Sequence, residues 1–205
     1  MTQPASLDSD TISSAIDGAV PAAHRQAKYQ VRFDWSAEGA AAVAADADVV
    51  VWVDALADAP APELPGDGAV LAAGLTDASA VARWILAEQV RLGRRAMIAL
   101  VAAGGATPSG ATRFAVEDLL AAGAVVDALA SVGIDYSSPE AAAACAAFTG
   151  LRGAVAHLLT ASVSGQERVA AGAVPADIAP AGRLDASDAV TVLRAPRQNG
   201  APAAE

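Results

Sequence analysis

The feature that most constrains the fold is a pair of short, continuous apolar runs. Residues 48–56 contain Val-Val-Val-Trp-Val, and residues 96–102 form a second run of the same kind. Runs this short, without polar alternation, predict strands that are buried on both faces, as in parallel sheets. A strand of this kind needs helices on both sides, so the two runs favour an α/β protein.

Strand and helix patterns alternate along most of the chain. In residues 29–35 apolar and polar residues alternate, which predicts a half-buried strand with Gln30, Arg32 and Asp34 on its polar face. The dipeptide Ser138-Pro139 predicts the start of a helix. The other predicted elements are helices at about 38–45, 76–92, 113–132, 138–148 and 153–161, and strands at 69–74 and 190–193. This order predicts a layered α/β/α fold with a largely parallel or mixed sheet.

The length of 205 residues is typical of one compact domain with short tails. Residues 29–194 are predicted to form this single α/β domain. Residues 1–28 and 195–205 are small and polar without an apolar period, so we expect flexible tails there.

Charge, hydropathy and cysteine content limit the partners and the compartment that the sequence predicts. The net charge is −10, and an acidic surface repels nucleic acid and anionic lipid. No uninterrupted apolar stretch is long enough for a membrane span, and the N-terminus has no signal-peptide pattern. The single cysteine, Cys145, permits no internal disulfide and suits the cytoplasm. An anionic substrate would need a local cation, either arginine or a metal ion.

The most chemically suggestive segment joins a buried strand to a Gly-rich loop and then to a helix. Backbone amides at Gly104 and Gly105 are candidate anion donors, and Arg113 is a candidate phosphate clamp. Glu117 and Asp118 begin the helix, where the helix dipole alone would stabilise acidic residues. The alternatives are therefore a Mg²⁺ site bridging to phosphate, or simple helix-end acids with an Arg113–Glu117 surface pair.

Asp54 ends the Val-rich strand, at the edge where open α/β sheets bind ligands. Solvation of the strand end would also explain a charge there. His24 and His157 are far apart in sequence and predict neither a zinc site nor a catalytic triad.

An ordered series of motifs over residues 29–194 resembles the 2-phosphosulfolactate phosphatase family. The motifs are Val31-Arg-Phe-Asp-Trp35, Ala47-Asp-Val-Val-Val-Trp-Val-Asp54, Asp77-Ala-Ser-Ala-Val-Ala82, Glu117-Asp-Leu-Leu-Ala-Ala-Gly-Ala124, Ser164-Gly-Gln-Glu167 and Leu184-Asp-Ala-Ser187. The resemblance implies Mg²⁺-dependent hydrolysis of 2-phosphosulfolactate or a related small phosphate ester. It also implies catalytic and metal-binding roles for Asp54, Glu117 and Asp118, and substrate-binding roles for Gly104, Gly105 and Arg113.

Two departures from the family pattern leave a second hypothesis open. The stretch 55–74 is shorter than in the family, and Gly104-Gly105-Ala106 stands where the family has a Gly-Glu-Arg-like motif. A catalytically degenerate relative that binds a ligand, or acts as a regulator or scaffold, would show such changes. A truncation that joins two distant segments is a third hypothesis. If the shortened core leaves an open sheet edge, homo-oligomerisation is the expected way to cover it.

Overall fold

The computed structural model describes residues 20–57 and 60–197. The sheet and hairpin strands are β1 (Val31–Trp35), β2 (Val49–Val53), β3 (Ala69–Ala73), β4 (Ile98–Ala102), β5 (Gly105–Ala106), β6 (Thr112–Arg113) and β7 (Thr191–Arg194). The α-helices are α1 (Ser36–Val43), α2 (Ala78–Leu92), α3 (Val116–Ser131), α4 (Pro139–Leu151), α5 (Val155–Ala161), α6 (Val163–Ala170) and α7 (Pro175–Ile178).

The main sheet has five strands in the order β1-β4-β2-β3-β7. The first four are parallel, and β7 pairs antiparallel with β3, so the sheet is mixed. All five residues of β2 and all five of β4 are buried, which confirms the prediction from the two apolar runs. Because four parallel strands share one direction, their carboxyl ends lie at one edge of the sheet.

Apolar side chains cover both faces of the sheet and confirm the layered α/β fold. The larger cluster packs one face of the strands against α2, α3 and α4, with Leu100, Ile85 and Leu120 fully buried. The smaller cluster packs the other face against α1, around Val50 and Trp52. Helices α3 and α4 approach closely because Gly123 has no side chain: a Cβ there would lie 2.1 Å from the Ala144 carbonyl oxygen.

The outer edge of β1 is partly covered by its own chain. Val31 accepts a backbone hydrogen bond from Ser138, and the Gln26 side chain exchanges two hydrogen bonds with the Phe33 backbone. A 3₁₀-helix at Ala22–Arg25 precedes Gln26. Part of the predicted N-terminal tail therefore belongs to the ordered domain. The rest of that tail, residues 1–19, and most of the predicted C-terminal tail lie outside the described residues.

Three predictions from the sequence differ from the structure. Arg32, predicted on a polar strand face, is only 1% exposed. It is buried because its guanidinium donates to the Asp46 carboxylate and to backbone carbonyls, among them that of Val43. The predicted loop at 104–110 contains a hairpin strand, β5, which pairs with β6. Arg113 belongs to β6 and not to the helix, because α3 starts only at Val116.

The helical region after α3 was only partly predicted. Ser138 caps α4 through its side chain, as the sequence indicates, but α6 and α7 were not predicted. Within the described chain, the stretch Pro139–Ala170 is long and apolar enough to cross a membrane by length and composition, with a mean hydropathy of 1.4. It is divided into three α-helices by a 3₁₀ turn at Arg152–Ala154 and by the Ser162 cap. One such stretch is weak evidence for a membrane span.

Candidate functional site

The candidate site lies at the edge of the sheet where the parallel strands end. Asp54 follows β2, Gly104 follows β4, and the first turn of α3 brings Asp118 between these two strand ends, with Glu117 beside it in sequence. Strand ends and helix starts meet here because a helix that follows a parallel strand begins at the edge where that strand ends.

Asp118 connects the two strand ends directly. Its Oδ1 accepts a hydrogen bond from the Ala55 amide at 2.8 Å, and its Oδ2 accepts one from the Gly104 amide at 2.9 Å. The side chain is only 4% exposed. Asp118 therefore fixes the segment after β2 relative to the segment after β4, and it does so without contact with bulk water.

The acidic residues of the site are close enough to repel one another. The pKa of Asp118 is raised to about 7, chiefly by burial and also by the negative charges of Asp54 and Glu117, while the two amide hydrogen bonds oppose the shift. Near neutral pH this carboxyl group is thus close to half-protonated, and the cluster favours a positive charge.

Glu117 is the most buried of the three acidic residues. Its side chain is 2% exposed, and its Oε2 atom has neither solvent contact nor a hydrogen-bond partner. A buried carboxylate oxygen without a partner is costly. This burial excludes the interpretation in which Glu117 is a solvated acid stabilised only by the helix dipole.

Arg113 lies on β6 and pairs with Gly105, the residue after Gly104. Its Nη1 donates to the Phe114 carbonyl at 3.1 Å, and its guanidinium lies flat against the backbone of Gly105. A Cβ at Gly105 would come within 2.4 Å of Arg113 Nη2, so only glycine leaves room for the guanidinium. The amide of Gly104 is already bound to Asp118, so the side chain of Arg113 is the clearer anion donor in this loop.

Helix α6 supplies the remaining contacts of the site. Arg113 Nη2 donates to the Ser164 hydroxyl at 3.1 Å and lies 3.5 Å from Glu167 Oε2. The expected surface pair between Arg113 and Glu117 does not form; the ion-pair partner of Arg113 is Glu167 instead. Arg168 donates to the carbonyl of Leu56 and so attaches α6 to the segment after β2.

The buried Glu117 oxygen is the feature of the site that a metal ion would fit. In the part of the chain that the structure describes, no group of three or more His, Cys, Asp and Glu side chains is arranged to hold a metal ion. Mg²⁺ usually keeps several waters and takes only one or two carboxylates. Glu117 would supply one of these, because a cation beside its partnerless oxygen would satisfy that oxygen and offset the repulsion between Glu117 and Asp118.

The predicted site residues are thus brought to one edge of the sheet, and three further residues join them. Ser164, Glu167 and Arg168 were not assigned a role from the sequence. The only sequence signal was the Ser-Gly-Gln-Glu motif, which gave a resemblance without a chemical function. His24 and His157 are exposed and lie on other elements.

The fold and site define an α/β protein with an arginine and an acidic cluster at the carboxyl edge of its sheet. A family model described as 2-phosphosulpholactate phosphatase matches residues 63–196, more than half of the chain. The chain therefore belongs to the 2-phosphosulpholactate phosphatase family, which suggests a phosphatase-type function. A comparison with curated proteins finds no match. The matched region contains Arg113, Glu117 and Asp118 and begins after Asp54.

Proposed function

We propose that this chain hydrolyses a small organic phosphate ester, 2-phosphosulfolactate or a close analogue, with Mg²⁺ as cofactor. The observation that carries the proposal is the partnerless, buried carboxylate oxygen of Glu117, next to Asp118, whose pKa the charges of both Glu117 and Asp54 raise. Family membership supplies the class of reaction, and this oxygen supplies the reason for a cation at this place.

In the proposed site, Asp54 and Glu117 would hold the cation, and Asp118 fixes the segments after β2 and β4 in place. The bound cation would neutralise charge on the phosphoryl oxygens. Arg113 binds the phosphoryl group through its guanidinium, whose planar N–H groups match phosphate oxygens. The Gly105 backbone supports the guanidinium from behind, so its orientation is set before the substrate arrives.

The proposed reaction transfers the phosphoryl group to water. Asp54 accepts a proton from the attacking water, the water oxygen bonds to phosphorus, and the P–O bond to the ester oxygen breaks. The departing oxygen lies on the opposite side of phosphorus and takes a proton from solvent, and Asp54 releases its own proton to solvent, which gives the alcohol and inorganic phosphate. Trp35 and Phe114, whose ring centroids are 5.4 Å apart, form an apolar wall beside Gly104. They would limit access of bulk water from that side.

The test is phosphate release from 2-phosphosulfolactate by the purified chain, with Mg²⁺ and with EDTA. We expect turnover only with Mg²⁺, and a loss of roughly 100-fold or more in kcat for Asp54→Asn and Glu117→Gln. The matched control is Glu140→Gln, because Glu140 occupies the same second position of helix α4 but is exposed. Absence of turnover above background in the folded wild-type chain would reject the proposal.

One observation favours a second candidate, a relative that binds an anion without turnover. Both oxygens of Asp118 accept amide hydrogen bonds, so this carboxylate is bound to the backbone and offers no free oxygen to a cation. In that case the chain would bind inorganic phosphate through Arg113 but release none from the ester. The same assay, run beside a phosphate-binding measurement, separates the two functions.

A further inference from the structure

The guanidinium of Arg113 contacts two side chains of α6, one buried and one exposed, besides the Phe114 carbonyl. Ser164 is 6% exposed, and its hydroxyl accepts from Nη2 at 3.1 Å. Glu167 is 65% exposed, and its carboxylate lies 3.5 Å from the same Nη2. The first contact is a normal hydrogen bond, whereas the second is longer than a good charge-assisted hydrogen bond.

The inner side of the guanidinium is closed to ligands. Gly105 lies against it, Ser164 holds Nη2, and the Phe114 carbonyl accepts from Nη1. The side where Glu167 lies is exposed, and Arg113 itself keeps 23% of its side-chain surface exposed. An anion from solvent would therefore reach Arg113 at the position that the Glu167 carboxylate now occupies.

From this geometry we propose that the two α6 side chains have opposite effects on substrate binding. Ser164 is a positioning residue that holds Arg113 ready, and Glu167 is an internal anion that the substrate's phosphoryl group displaces from Arg113. The inference rests on the proposed function for the identity of the substrate, but its anion chemistry requires only that Arg113 binds an oxyanion.

A phosphoryl group can displace Glu167 from Arg113 because the Glu167 carboxylate is exposed and its distance of 3.5 Å from Arg113 Nη2 is long. An exposed ion pair is worth little, since water and salt screen it, and the Glu167 side chain can rotate into solvent without leaving a buried charge. A dianionic phosphoryl group offers several oxygens and twice the charge. The hydrogen bond to Ser164 is partly buried and does not involve Glu167, so it is kept when the anion changes.

The experiment measures binding of inorganic phosphate by isothermal titration calorimetry with Mg²⁺ present. We expect Ser164→Ala to raise the Kd about 10-fold, because it removes a hydrogen bond to a charged group. We expect Glu167→Gln to lower the Kd about 2- to 5-fold, because it removes an exposed competing charge. Asp67→Asn is the matched control for Glu167→Gln. Asp67 is 68% exposed and pairs with an arginine, Arg197, and its replacement changes the net charge by the same amount.

A kinetic measurement separates positioning from general damage. In the turnover assay, KM should follow the Kd of each variant in opposite directions while kcat stays near the wild-type value. A merely structural role for α6 would lower kcat and the melting temperature in both variants. If Ser164→Ala does not fold, the sign of the Glu167→Gln effect tests the inference alone.

The outcomes are distinct from those for the proposed function. If the Kd for phosphate rises in Ser164→Ala and falls in Glu167→Gln but the chain shows no turnover, this inference holds and the proposed enzymatic function is rejected. Turnover with unchanged Kd in both variants, or a Kd that rises in Glu167→Gln, overturns this inference and leaves the enzyme intact. A wild-type chain that binds no phosphate also overturns it.

Discussion

Replacement of Asp118 by asparagine tests the electrostatics of the site without any substrate. The structure raises the pKa of this buried carboxyl group from 3.8 to about 7. In the folded chain the group therefore holds a proton that the unfolded chain has already lost, between pH 4 and pH 7. Stability from this group is fully present below the unfolded pKa and is lost as the pH rises through the folded pKa.

The magnitude follows from the shift. A change of about three pKa units corresponds to roughly 4 kcal/mol in total, of which about 2.5 kcal/mol falls between pH 5 and pH 8. Asparagine does not titrate, so the Asp118→Asn variant lacks this component. It also leaves one of the amides of Ala55 and Gly104 without an acceptor, which costs about 1–3 kcal/mol at every pH.

The assay is urea unfolding of the metal-free chain in EDTA, followed by tryptophan fluorescence at pH 5 and pH 8. The difference in unfolding free energy, wild type minus Asp118→Asn, should fall by about 2.5 kcal/mol from pH 5 to pH 8. Titrating groups distant from Asp118 cancel in this difference, because their surroundings are the same in both proteins. Parallel pH profiles for the two proteins would refute the placement of Asp118 in a buried acidic cluster.

Two glycines make further predictions, with Gly150 as a common control because a Cβ there meets nothing within 4 Å. Gly123→Ala should destabilise the fold by about 1–3 kcal/mol in urea unfolding, since its Cβ would lie 2.1 Å from the Ala144 carbonyl oxygen. If the variant is as stable as Gly150→Ala, the close packing of α3 against α4 is contradicted. Gly105→Ala should weaken phosphate binding roughly 10-fold in calorimetry by pushing away the Arg113 guanidinium. Unchanged binding would show that this glycine does not support the guanidinium.

The central strands were predictable because their sequence allows few alternatives. The run Val49–Val53 has no polar position, so both faces of the strand must be buried, with helices on each side of the sheet. Arg32 shows the limit of pattern reading. The alternation of residues 29–35 predicts that Arg32 lies on a solvated face. In the structure Arg32 contacts Asp46 and the Val43 carbonyl of α1, and the local pattern shows neither contact.

The candidate site was predictable only as a set of residues. Glu117 and Asp118 have the same local sequence context whether they are helix-end acids or a buried cluster. What distinguishes the two cases is that the ends of β2 and β4 converge on the first turn of α3, which is a long-range property. Arg113 was placed in the wrong element because the short hairpin ends only three residues before α3. The role of α6 depends on contacts across about 50 residues of sequence.

The most direct test of the account is a crystal structure of the chain with Mn²⁺, whose anomalous signal marks the ion, and inorganic phosphate. The account requires an ion bound to oxygens of Glu117 and Asp54, with a phosphate oxygen on the Arg113 guanidinium and the Glu167 carboxylate turned away. An ion elsewhere, or phosphate bound instead at the far edge of the sheet near Arg91 and Arg94, would contradict it.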